Sequence, residues 1–187
     1  KFQSTRFFYL FKKHNILVLI AILSCMSLFL YEQYIFGGRL FLFEDFGSDS
    51  VRVSLPTYIY FFDWFKSGMP LWSDKMGIGT SVLSHGDIIF DPFTYILFIF
   101  GKNGIIYMFA YMIIAKIIFS GIFFWMFLGK YKLSSYAKLI GAITYAFGGY
   151  MIVTGQNYVF GTIYTYIPLI FLGFEIWLQD RKKRLLI

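Results

Sequence analysis

A series of long apolar runs limits what this chain can fold into more than any other feature. The run at 104–128, GIIYMFAYMIIAKIIFSGIFFWMFL, carries a single charge, Lys116. About 20 residues at 1.5 Å rise cross the ~30 Å hydrocarbon core of a bilayer, so a run of this length reads as a membrane span. Three more runs, at 15–36, 139–153 and 162–178, share its character. Soluble domains carry roughly 25% charged residues, whereas this chain has 14% charged and 58% hydrophobic. The expectation is an all-α integral membrane protein with four transmembrane helices, a single membrane module over 1–187, and no soluble domain.

The charges orient those spans. Of the 17 Lys and Arg residues, eleven lie at 1–13, 130–138 and 181–184, and five in the long loop 37–103. Short flanks rich in Lys and Arg stay in the cytoplasm. Both termini are therefore predicted to be cytoplasmic, with loop 37–103 extracytoplasmic. The net charge of +7 belongs to flanks that meet lipid headgroups, so membrane lipid is an expected partner and nucleic acid is not. Cys25 is the only cysteine and lies in an apolar run, so no internal disulfide framework exists. A secretory signal peptide is a weak alternative for the N-terminus, because the apolar run is long and no small-residue cleavage pattern follows Leu30. The chain opens on Lys1 and closes on RKKRLLI, where a new apolar run starts. It reads as the N-terminal part of a longer protein.

Within the loop, Val51, Leu55, Ile59, Phe62 and Phe65 recur at three- and four-residue steps. This predicts an amphipathic helix over 49–66 lying flat on the bilayer or over the mouth of the bundle. Ser48 or Asp49 would be its N-cap, and Ser67-Gly68 followed by Pro70 its stop. MGIGTSVLSHGD reads as a turn region, and 92–100 as a re-entrant or interfacial piece, too short to span. In the third span Gly141, Gly148 and Gly149 allow close helix approach. Pro168 is expected to kink the fourth.

Seven of the ten acids fall in this loop: Glu44, Asp45, Asp49, Asp63, Asp74, Asp87 and Asp91. Asp63 and Asp74 read as solvated surface charges. Asp49, at the head of the amphipathic helix, fits either an N-cap or a general base at the membrane surface. His85 could join Asp87 or Asp91 as a metal ligand or act as a second base, although a loop histidine is usually solvated. Lys116 is costly in mid-span and should face the protein interior. Gln156, Asn157 and Tyr158 could reach a sugar, or simply form an interfacial turn.

The order of short motifs resembles the YfhO family of bacterial multi-pass membrane proteins with the GT-C glycosyltransferase architecture. The series begins with Gly47-Ser48-Asp49, Leu55-Pro56 and Ser67-Gly68. It continues with Trp72, Met76-Gly77-Ile78-Gly79 and Asp91-Pro92-Phe93, then Lys116 with Gly121. It closes on Tyr145-Ala146-Phe147-Gly148-Gly149-Tyr150, Pro168-Leu169, Gly173 and Glu175. That resemblance implies transfer of a sugar from a polyprenyl-phosphate carrier to an envelope polymer such as lipoteichoic or teichoic acid. It maps the catalytic base onto Asp49, with Asp45 as its rival.

Glycosyl transfer from a lipid phosphate needs a base for the acceptor and a stabiliser for the departing phosphate. Arg52, three residues beyond Asp49, fits the second task, since its guanidinium matches phosphate oxygens. Glu44, His85 and Lys116 complete the candidate substrate-binding set. No particular cofactor is indicated, and the acids could accept a divalent cation. Two other classes stay open. A transporter or flippase would line a pathway with Lys116, Glu32 and Glu175, and a non-catalytic scaffold would tolerate replacement of every loop acid.

Overall fold

The computed structural model describes residues 15–43, 49–75, 77–155 and 158–185. Its elements in order are α1 (Asn15–Leu30), α2 (Glu32–Ile35), a π-helical turn (Ser50–Ser54) and α3 (Leu55–Lys66). A two-stranded ladder follows, β1 (Trp72–Ser73) and β2 (Thr80–Ser81), then α4 (Gly86–Ile89) and α5 (Thr94–Leu97). The chain ends with α6 (Ile105–Leu128), α7 (Ser135–Ala146), α8 (Gly149–Thr154) and α9 (Tyr158–Leu185). Three helical stretches, at 102–128, 135–154 and 158–179, are long and apolar enough to cross a membrane. The first expected span is shorter: α1 has 16 residues, about 24 Å at 1.5 Å per residue.

By contacts the chain divides into two compact units. The first comprises 1–30, 116–152 and 163–187, and its described part is helical. Glycines let its side chains interlock. A methyl on Gly121 would fall 2.5 Å from Leu23 Cδ1, and one on Gly141 2.9 Å from Leu128 Cδ1. Close approach at small residues is how helices associate where lipid removes the hydrophobic drive. The expected third span is interrupted: α7 ends at Ala146, and α8 starts at Gly149. Ser134 caps α7, its hydroxyl accepting from Ala137 N at 3.2 Å, so that helix starts before the expected boundary at 139.

Two tyrosines mend the breaks in this unit. Pro168 lies inside α9 and has no N–H to offer the carbonyl four residues earlier, that of Tyr164. The Tyr145 hydroxyl donates to that carbonyl at 2.8 Å. In return the Tyr164 hydroxyl donates to the Tyr145 carbonyl at 2.7 Å, in the last turn of α7. The two rings stack at 4.4 Å, and Phe124 stacks on Tyr145 at 4.4 Å. Gly148 makes room, since a methyl there would fall 2.6 Å from the Tyr164 hydroxyl oxygen.

The second unit comprises 31–115 and 153–162. The helix expected over 49–66 is present, entered through the π turn. It ends as expected at Ser67-Gly68: Gly68 has φ +89° and Met69 N donates to Trp64 O at 3.2 Å, a Schellman closure. The expected apolar stripe is a correction. The buried face is Tyr58, Phe61 and Trp64, while Phe65 is 42% exposed and Val51, Leu55, Ile59 and Phe62 are only half-buried. The wider π turn shifts the helical phase by about one residue, and the large aromatic rings dominate burial. Tyr58 packs edge-on against Phe109 (5.6 Å) and Tyr158 (6.2 Å), and Phe109 stacks on Tyr158 at 4.3 Å. An unexpected strand pair follows α3, with Trp72 opposite Ser81 and Ser73 opposite Thr80.

Candidate functional site

The π turn presents an exposed carboxylate, that of Asp49. The Asp49 carbonyl accepts from Val53 N at 3.0 Å and Ser54 N at 2.7 Å, so the main chain alone closes the turn. Its side chain makes no capping bond and the residue is exposed. The capping role open to Asp49 on sequence is therefore not taken up, and the carboxylate stays available to solvent or substrate. Arg52 lies in the same turn and is also exposed. Glu44, Asp45 and Ser48, and the pair Gln156 and Asn157, lie outside the described residues, as do the basic residues at 1–13.

The remaining described candidates differ in burial and partners. His85 is half-buried with its ring edge-on to Phe61 at 5.6 Å. Among the described residues no three His, Cys, Asp or Glu side chains form a metal-binding group. Lys116 is fully buried in α6, as its cost in lipid requires, and the Thr165 hydroxyl donates to its backbone carbonyl at 3.3 Å. Glu175 accepts from Gln179 Nε2 at 2.9 Å, one turn along α9, and Glu32 is exposed. Asp63 pairs with Lys102, both half-exposed, in keeping with a surface charge.

The carboxylate that sequence reasoning undervalued is Asp91, only 4% exposed. Oδ1 accepts from Phe93 N at 3.0 Å, closing a turn over Pro92, and Oδ2 accepts from the Thr162 hydroxyl at 2.6 Å. A buried carboxylate is tolerable only with such partners. Asp91 thus ties the loop to the start of α9, a link across 71 positions. Its local signal was readable, since Asp before Pro and a helical turn is an Asx-turn pattern. Nearby Tyr58 feels the result. Burial pushes its phenol well above the ordinary tyrosine value, and the Asp91 carboxylate pushes it further, so Tyr58 stays protonated. Two carboxylates in one loop therefore have opposite circumstances: Asp91 is committed to the fold, whereas Asp49 is not.

A family model described as "Bacterial membrane protein YfhO" matches residues 16–187. No curated protein matches the chain, and no solved structure does.

Proposed function

The chain belongs to the YfhO family of bacterial membrane proteins, and on that premise we propose that it contributes the catalytic loop of a GT-C-type glycosyltransferase. The donor is a sugar on a polyprenyl-phosphate carrier, and the acceptor a hydroxyl of a cell-envelope polymer of the teichoic or lipoteichoic acid kind. In this reading loop 37–103 faces the extracytoplasmic side, both ends face the cytoplasm, and the bilayer delivers the donor.

One observation supports the choice of base: the exposed Asp49 carboxylate, at the head of the π turn and not used as a cap. Asp49 takes the proton of the acceptor hydroxyl as its oxygen attacks the anomeric carbon. The bond from that carbon to the carrier phosphate breaks, and the phosphate leaves with the electron pair. Arg52, exposed in the same turn, neutralises charge on the departing phosphate. Asp91 fits this role less well, because both its oxygens already accept hydrogen bonds.

Asp49→Asn in the native protein, at unchanged membrane abundance, removes the sugar from the envelope polymer. An envelope with its full sugar content would overturn the proposal.

A further inference from the structure

The second unit also contains a cleft of about 290 Å³ between α3 and the segment 70–75, lined by Tyr60, Asp63, Ser67, Trp72, Asp74 and Lys75 among others. We propose that this cleft binds a single neutral pyranose ring, stacked on Trp72 and hydrogen-bonded by the Asp63 and Asp74 carboxylates. The inference rests on the glycosyl-transfer reading only for why sugar reaches this loop; the binding itself is argued from the cleft.

Its size limits the ligand. Small-molecule sites run from about 300 to 1,000 Å³, so this one holds a single ring rather than an oligosaccharide. Its floor and wall are set before any ligand arrives. Trp64, on the floor, donates its indole N–H to the Pro70 carbonyl at 2.7 Å. Trp72 donates its own to Asp74 Oδ1 at 2.8 Å. The Trp72 indole lies close against Gly79, where a methyl would fall 2.8 Å from Cζ2. Gly79 also has φ +101°, a conformation that favours glycine. The indole is thereby fixed in place while remaining 58% exposed. A fixed, exposed aromatic face loses little entropy on stacking, and it suits the C–H face of a pyranose.

The charges select among ligands. Asp63 and Asp74 carry two negative charges, and Lys75 in the wall and Lys102 paired with Asp63 carry two positive ones. A cationic amine would want an uncompensated negative cleft, which this is not. Each carboxylate has one oxygen engaged, Asp63 Oδ2 by Lys102 and Asp74 Oδ1 by Trp72. Each other oxygen can accept a ligand hydroxyl.

The test uses the native protein in nanodiscs, with 5-fluorotryptophan at its indoles and the Trp72 resonance assigned by its loss in Trp72→Phe. Methyl glucoside and methyl N-acetylglucosaminide should shift that resonance saturably, and at lower concentration than glycerol. Asp74→Asn keeps an acceptor for the Trp72 indole but removes the charge, and should weaken binding about tenfold, the worth of one charge-assisted hydrogen bond. Gly79→Ala should abolish the shift. An unchanged unfolding midpoint and unchanged amide-exchange protection of α3 show that the variants remain folded. The inference is overturned if no glycoside gives a saturable shift, if glycerol or choline matches the glycosides, or if both variants bind as before. Glycoside binding by a protein that transfers no sugar would remove the transfer reading and leave the cleft. Envelope glycosylation without binding would do the reverse.

Discussion

In the helical unit, two half-buried tyrosine hydroxyls repair the helices themselves. Tyr145 supplies the donor that Pro168 lacks, and Tyr164 serves a carbonyl at the end of α7. In the loop unit, buried polar groups instead fix irregular backbone: Asp91 closes a turn and holds Thr162, and the Tyr158 hydroxyl donates to the Phe41 carbonyl at 2.8 Å. The first pattern answers the absence of water in a bilayer, where an unpaired carbonyl has no other partner. The second answers the absence of a ladder, where side chains must do what regular structure does elsewhere. The comparison teaches how to choose functional residues. A polar group that repairs backbone is accounted for by the fold, and the groups left over, Asp49 and the Trp72–Asp74 pair, are where chemistry can be sought.

The largest stability effect is expected in the loop unit. Asp91→Ala strands the Phe93 N–H and the Thr162 hydroxyl, and should cost about 3 kcal/mol, read as a lower unfolding midpoint in nanodiscs. A loss under about 0.5 kcal/mol would show that the loop does not depend on that carboxylate. The helical unit should respond less. Tyr145→Phe removes the donor to the Tyr164 carbonyl and should cost about 1–2 kcal/mol, within the range for hydrogen bonds inside membranes. In a Pro168→Ala background the helix can supply that donor itself, so the same substitution should cost little. An equal cost in both backgrounds would refute the repair.

Smaller effects sharpen the contrast. The Tyr58 phenol is raised in the fold by burial first and by Asp91 second. Its contribution to stability is therefore complete below the unfolded value near 10 and is lost as pH climbs through the folded value. Tyr58→Phe should flatten that alkaline decline; an unchanged decline would assign it to other tyrosines. The exposed Lys102–Asp63 pair is expected to matter least. Lys102→Met should shift stability by no more than about 0.5 kcal/mol, and less still at high salt.

Much of the helical unit was legible in the sequence because its signal is local. The run at 104–128 became α6 almost to the residue, and glycines marked the interlocked positions. Boundaries moved where a local signal was outweighed. Ser134 starts α7 early by capping it, and α9 continues to Leu185 because a basic run suits a helix C-terminus. The loop unit was less legible. Its helix was visible, but its buried face was not, since the phase depends on a π turn that no periodicity announces. The strand pair has two residues on each side, too few to alternate. Asp91 was passed over because its second partner, Thr162, is distant in sequence. Asp49 is singled out mainly by resemblance; the sequence left open whether its side chain caps the helix, and in the structure it makes no capping bond.

The central claim is that Asp49 acts as the base for glycosyl transfer, and single-turnover transfer in nanodiscs tests it most directly. The native protein is given a polyprenyl-phosphate sugar and a hydroxylated envelope acceptor. Asp49→Asn should slow transfer by about 10²- to 10⁴-fold, the worth of a general base, with no change in the unfolding midpoint. A rate within about twofold of the unsubstituted protein would contradict the account.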